Sequence, residues 1–384
     1  MGVCCLEGMA GSMRVRNLIE PLIEEDLVTV NNLIYKKHCS NNFHPNGIIN
    51  NINYRIIGFK QNNRLLNLRF FYDGFQFIKK CRKRNQKNIL YNYDSPDIKN
   101  ILFILFGRLL GYKIIIDVVE DYRFFLKFTS IQQKIRVHSS FFLLKRMPRY
   151  VDAVVTISSH LEQRMNAICK RKIPVFLIPI TVNFKYFKNN NLNIFSGNDI
   201  KIFYGGSFGQ KDGLEYLIQA FDKVAQQNNS VKLILTGRKH DEYDFANIMK
   251  YIDNAKNKDR IDYKGFISTE EYYTLLNECD IFCMTRNNSE FANAGFPFKL
   301  GEFLATGKSV ISTNVGDVSK YLINGFNSVL IEPESVDEIV KALSYVIQNP
   351  LVMEKLGKQA RQTAYENFNS DLLSHKLYEI FNLL

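Results

Sequence analysis

Two segments combine residue types suited to holding a phosphorylated, hydroxyl-rich ligand. The first is GGSFGQKDG, Gly205 to Gly213, which follows an apolar run and opens a helical pattern. Small residues such as Gly205, Gly206 and Ser207 let backbone N–H groups approach an anion, the helix dipole favours negative charge, and Lys211 adds a point charge. The loop is neither a Walker A motif nor a G-x-G-x-x-G fingerprint. The second is NAGFPFKLGEFLATGKSVIST, Asn293 to Thr313, where Lys299 and Glu302 lie three residues apart on one helix face. A carboxylate there can accept both hydroxyls of a ribose, and a lysine at the helix start can hold phosphate. Each segment also has a plainer reading: a tight βα turn with a solvated lysine, and a surface salt bridge.

A third group is acidic. Asp117, Glu120 and Asp121 stand at or just past the end of the run KIIIDVV. Site residues belong at such strand ends in open α/β sheets. Glu120 is the residue expected to orient an acceptor hydroxyl or remove its proton; the plainer reading is a solvated acidic loop. Arg14 and Arg16 either approach the acceptor or phosphates or form a solvated helix face. No Asp-x-Asp or HExxH pattern occurs, and GMAGS is not a G-x-S-x-G elbow. The seven Cys show no metal-ligand spacing, so no structural metal and a reducing, cytosolic compartment are expected.

These residues need elements to position them. Apolar β-rich runs alternate with helical patterns: KIIIDVV, AVVTI followed by SSHLEQRMNAI, then Ile200–Tyr204, Gly213–Gln227, Val231–Thr236, Ile261–Tyr263, Thr269–Glu278, Ile281–Met284, Phe298–Ala305 and Ser309–Ser312. Ser158 or Ser159 is the expected N-cap of the SSHLEQRMNAI helix. Repeated βα alternation implies an α/β protein with parallel, doubly wound sheets. The 384 residues suit two or three domains. The polar stretch Phe187–Asp199 reads as a linker between them. Ile101–Val119 is the most apolar run, but Arg108, Gly111 and Lys113 interrupt it, so it reads as a buried helix followed by a buried strand. Only MGVCCL precedes Glu7-Gly8, which leaves either a short first strand or a start placed too late.

Charge divides the chain. Residues 1–196 hold 30 Lys/Arg against 13 Asp/Glu (+17), and residues 197–384 hold 20 against 25 (−5), which sum to the overall +12. KKCRKRNQK, Lys79 to Lys87, has six basic residues in nine, and Phe124–Tyr150 mixes Phe and Leu with Lys and Arg. Such stretches suit an anionic membrane surface; solvated basic faces are the alternative. Nucleic acid is not an expected partner, because no nucleic-acid motif accompanies the charge.

The order strand–GGSFGQKDG–helix, then LILTG, YKGFIS, CDIF, GFPFKLGEFLATGKSVIST and GFNSVLIEP, resembles the donor-binding domain of glycosyltransferase family 4, retaining enzymes of the GT-B fold. GMAGSMRVRNL resembles that family's glycine loop and first helix, and IIIDVVEDY, YVDAVVTISSHL and IPVFLIPITVNFKYF its later strand ends. The resemblance implies two Rossmann-like domains with a cleft between them: 1–190 for the acceptor, 199–368 for a nucleotide-sugar donor, and a helix over 369–384 returning to the first domain. It implies Lys211 on the donor diphosphate with Gly205, Gly206 and Ser207 supplying close backbone, Glu302 on the ribose, Lys299 near phosphate, Gly295 and Phe296 beside the sugar, and Gly11 and Ser12 closing over the diphosphate.

The chain departs from the family in two places. Where the family carries its first glutamate stands Ala294, with Glu290 four residues early; and the usual arginine ahead of the lysine is missing, with Arg286 or Arg238 as substitutes. The expected activity is transfer of a sugar, without a metal, from a nucleotide diphosphate sugar to a hydroxyl acceptor on a lipid-linked or cell-surface glycan. The expected location is cytoplasmic, peripheral on the inner membrane face. A non-catalytic nucleotide-sugar-binding or membrane-associated partner protein of degenerate fold is the alternative.

Overall fold

The computed structural model describes residues 10–35, 44–49, 51–57, 68–98, 100–124, 131–187, 199–209, 211–237 and 242–384. The chain forms two compact units, residues 1–179 with 370–384, and residues 180–369. Residues 180–187 thus group with the second unit, and most of the polar stretch read as a linker lies outside the described residues, as does the segment ahead of Ala10.

In the first unit the strands are β1 (Asn31–Tyr35), β2 (Asn46–Ile49), β3 (Ile52–Ile57), β4 (Ile89–Tyr93), β5 (Lys113–Val118), β6 (Ala153–Thr156) and β7 (Val175–Leu177). β4-β5-β6-β7 form a parallel sheet in that order. β1-β3-β2 form a separate sheet in which β2 runs antiparallel. A cavity of about 500 Å³ is lined by β1, β4 and the helices above and below them. The Ser370–Leu383 helix packs here through Leu373, Leu377 and Ile380, sharing a core with Leu18, Ile115, Ala153, Val155 and Ile178.

The second unit has one six-stranded sheet: β8 (Ile200–Gly206), β9 (Val231–Gly237), β10 (Ile261–Tyr263), β11 (Ile281–Met284), β12 (Ser309–Thr313) and β13 (Val329–Ile331). The order is β10-β9-β8-β11-β12-β13, all parallel. The strands are short and rich in Ile, Val and Phe, as suits a parallel sheet covered on both faces. The Leu214–Gln227 helix buries Leu214, Leu217, Ile218, Phe221, Val224 and Ala225, the i, i+3, i+4, i+7 stripe of a surface helix. The Thr269–Glu278 helix starts at a full capping box, with Ser268 and Glu271 each bonded to the other's backbone.

Two sequence expectations are sharpened. Ser158, not Ser159, caps its helix, accepting from Leu161 N. The apolar run after Asn100 does form a helix, Ile101–Leu109, followed by β5, but the helix is only half buried: Phe103, Ile104 and Gly107 face the core, whereas Leu102, Leu105 and Leu109 are exposed. The run is apolar on every side, so periodicity had no face to select. Among the described residues, no helix is long and apolar enough to cross a membrane.

Candidate donor site and the acidic cluster

The order of the six-stranded sheet reverses direction between β8 and β11. Beyond the carboxyl ends of two strands at such a switch point, the following loops diverge and leave a crevice, which is where open α/β sheets bind ligands. The loop after β8 carries Lys211, and the loop after β11 carries Arg286.

The two loops are stitched together. Asn287 N donates to Lys211 O at 3.2 Å, and Thr285 Oγ1 donates to Asp212 O at 3.2 Å. Gly213 has φ +60°, and a Cβ there would lie 2.1 Å from the Thr285 carbonyl oxygen, so this close approach admits only glycine. The Lys211 ammonium sits 4.3 Å from the centre of the Phe291 ring, a cation–π contact that holds it at the crevice. Gly205 and Gly206 are the last residues of β8, paired with Thr236 and Gly237. Ser207 Oγ donates to Asp212 Oδ2 at 2.8 Å and Gly209 N to the same oxygen at 2.9 Å, so the buried Asp212 shapes the loop from within.

Arg286 is buried and donates to Ala292 O at 3.4 Å, close to the backbone of Gly295. It is the candidate on hand for the missing arginine; Arg238 lies outside the described residues. Ala294 is itself buried, and Glu290 is exposed on the first turn of the short Glu290–Ala294 helix, capped by Ser289. Phe296 turns its ring into the core against Tyr321 and Phe368 rather than toward the crevice loops.

Glu302 is 7% exposed on the Phe298–Ala305 helix. Tyr272 OH donates to its Oε2 at 2.8 Å and Tyr273 OH to its Oε1 at 3.0 Å. The Lys299 ammonium lies 3.4 Å from the same carboxylate and 3.7 Å from the Tyr272 ring centre. Burial, then the Glu302 charge, pushes the Tyr272 hydroxyl well above its ordinary range, so it stays a donor. Tyr186 stacks on Tyr273 at 4.2 Å. A carboxylate offers about four lone-pair sites, so Glu302 keeps acceptor capacity beside its two tyrosines. Neither tyrosine was legible as a site residue, because the partner lies about thirty positions along the chain.

In the first unit the arginines and acids resolve differently. Arg14 is not on a solvated face or near an open crevice. It is buried and bidentate to Asp117, with Nε to Oδ2 at 2.9 Å and Nη2 to Oδ1 at 3.0 Å, and it also donates to the carbonyls of Ile178 and Pro179. Tyr91 OH donates to Asp117 at 2.6 Å. Burial opposes the Arg14 charge, but Asp117 raises its pKa overall. Arg16 is part-exposed and pairs with Glu20. Asp121 is held by Arg123, Arg164 and His160; burial works against its charge, and the Arg123 hydrogen bonds and Arg164 more than offset that, keeping it ionised. Glu120, half-buried just past β5, shares its field with Asp94, Tyr122 and Arg136. Asp94 accepts from Tyr122 OH and from Arg136 Nη2 at 3.0 Å, yet burial raises its pKa to about 6. Gly11 and Ser12 open the Ala10–Glu24 helix, Gly11 against Tyr93 at the end of β4, with Ser12 buried.

Residues 187–363 match the model of the family described as glycosyl transferases group 1. The protein is a glycosyltransferase of the GT-B fold. Within it, the matched segment spans β8 to β13 and both crevice loops. An uncharacterised glycosyltransferase of Methanocaldococcus jannaschii is 22% identical over 317 residues, 73% of this chain and 78% of that one. The capsular polysaccharide biosynthesis glycosyltransferase CapM of Staphylococcus aureus is 23% identical over 198 residues, 52% of this chain and 48% of that one. Among solved structures, Anabaena HepE in complex with UDP and glucose superposes with a TM-score of 0.74 at 14% identity, covering 98% of this chain and 96% of that one. The resemblance to glycosyltransferase family 4 therefore stands for the fold and the class of enzyme.

Proposed function

We propose that this glycosyltransferase moves a sugar from a nucleotide diphosphate donor to a hydroxyl on a lipid-linked or cell-surface glycan, with retention of configuration. The observation that carries the reading is the stitched pair of loops at the sheet's switch point, which fixes Lys211 and brings Arg286 close to Gly295. In this reading the donor diphosphate lies against Lys211 and the backbone around Gly205, Gly206 and Ser207. Glu302 takes the ribose hydroxyls, and Lys299 stands near phosphate. Gly295 and the Phe296 backbone flank the sugar. Negative charge develops on the diphosphate as it leaves, and fixed cations and dipoles stabilise it without reorganising. Lys211 and Arg286 supply that charge here, so no divalent metal is required for this role.

On the acceptor side, Glu120 is assigned to orient or deprotonate the attacking hydroxyl, and Gly11 and Ser12 to cover the diphosphate. The polysaccharide-related name of CapM and the basic segments Lys79–Lys87 and Phe124–Tyr150 favour an acceptor carried at an anionic membrane. The test is a panel of nucleotide sugars incubated with purified protein and a lipid-linked acceptor extract. Transfer with an unchanged anomeric configuration is the expected result. No transfer and no nucleotide release with any donor would overturn the reading.

A further inference from the structure

The helix Ile101–Leu109 exposes Leu102 at 45%, Leu105 at 40% and Leu109 at 85%. Their i, i+3, i+7 spacing makes one continuous stripe. Ile98, 55% exposed, extends the stripe beyond the helix start, and its N–H donates to Ser139 Oγ at 3.3 Å. That bond ties the stripe to the Ile131–Arg146 helix, which exposes Ile131, Ile135 and Phe142 in turn. Exposed apolar residues scattered singly need no explanation, but a contiguous set rimmed by polar groups marks an interaction site.

The rim is cationic. The Ile101–Leu109 and Ile131–Arg146 helices carry Arg108, Lys134, Arg136, Lys145 and Arg146 and no Asp or Glu. Arg146 lies over the Phe142 ring at 3.6 Å. At the other end, Tyr112 OH donates to Ile78 O at 2.8 Å, and a Cβ on Gly111 would lie 3.8 Å from Arg82 Nη2. The basic run Lys79–Lys87 therefore abuts the Leu109 end of the stripe. The acids nearby, Asp94 and Asp97 on Arg136 and Asp152 on Arg108 and Lys113, offset only part of this charge.

We infer that this leucine stripe, flanked by Lys and Arg, is the surface by which the first unit docks on an anionic lipid bilayer. Leu102, Leu105 and Leu109 enter the boundary of the acyl chains while the cationic rim meets anionic headgroups, the arrangement of an interfacial helix. An all-apolar partner surface would leave the remaining positive charge of the rim without a counter-charge, and a second copy of this chain would bring like charge against it. The inference deepens the membrane part of the proposed function and rests on it, but not on the donor chemistry.

The chain contains no Trp, so Leu109→Trp supplies a single fluorescent reporter. With vesicles of phosphatidylcholine and phosphatidylglycerol, its emission should shift to the blue and be quenched by brominated lipids. Leu351→Trp, exposed on the second unit, should not respond. Co-sedimentation should weaken at least about tenfold in Leu105→Glu/Leu109→Glu and fall with added salt. An unchanged circular-dichroism spectrum and melting transition show that this variant is folded, and because no donor enters the assay, failure of docking stays separate from failure of the transferase reading. A silent Leu109→Trp in vesicle-bound protein overturns the inference, as does a stripe-dependent dimer that ignores lipid.

Discussion

The two units are built on the same parallel βα logic but differ in what fills them. The second has one unbroken six-stranded sheet with an apolar core running from Ile202 to Leu356. The first is divided into two sheets, with a cavity lined by β1 and β4. It also buries charge at the carboxyl end of its four-stranded sheet, where Arg14, Asp117 and Tyr91 form one network and Asp121 gathers another. The second unit is a continuous frame that holds two loops. The first unit is held by polar cross-links between distant segments.

The sharpest way to break that contrast is Arg14→Met. Removing one partner of a buried ion pair leaves an uncompensated charge, so the first unit should lose about 3–5 kcal/mol. Hydrogen exchange across β5 and β7 should report the loss, with β8 to β13 unaffected. Arg14→Met/Asp117→Leu should recover most of it. A loss no greater than that of a surface substitution, within about 0.5 kcal/mol, would mean the network is not structural.

A smaller effect is expected at Glu302. Glu302→Gln keeps its volume but removes the charge that the hydroxyls of Tyr272 and Tyr273 address, and binding of the nucleotide diphosphate donor should weaken about tenfold, roughly 1.4 kcal/mol. Tyr273→Phe leaves the carboxylate in place with one donor fewer and should cost about 1 kcal/mol or less. Equal effects of both variants would mean the tyrosine, not the carboxylate, meets the ligand.

The smallest effect concerns Asp94. Burial raises its pKa to about 6 from its ordinary value of 3.8, so the folded state favours the protonated form. Its contribution to stability is fully present below the unfolded pKa and is lost as pH rises through about 6. Wild type should therefore gain stability relative to Asp94→Asn as pH falls from neutrality toward 4, by on the order of 1 kcal/mol. A pH-independent difference would show that the carboxylate titrates in the folded protein as it does in the unfolded chain, and a loss of stability on acidification would show that Tyr122 and Arg136 hold it ionised.

Legibility in the sequence followed the same division. In the second unit the strand runs, the Ser268 capping box and the loops at the switch point rest on local signals: β-branched runs, a Ser-x-x-Glu spacing and glycines where backbones approach. The position of Lys211 in the loop after β8 and of Glu302 on a helix face with Lys299 was legible for that reason. Arg14 was not, because its partner Asp117 lies 103 residues away. The exposed side of Ile101–Leu109 was hidden because a helix apolar on all sides gives periodicity nothing to choose. The turning of Phe296 into the core was equally invisible, since Tyr321 and Phe368 meet it only in three dimensions.

The most direct measurement is calorimetric titration of UDP-glucose and other sugar nucleotides into the wild type and Lys211→Ala. At least one nucleotide sugar should bind the wild type, and the variant should bind it about 10–100-fold more weakly, as expected for the loss of a charge-assisted contact. A flat titration with every donor, or equal affinity in the two proteins, would contradict a diphosphate held at the switch point.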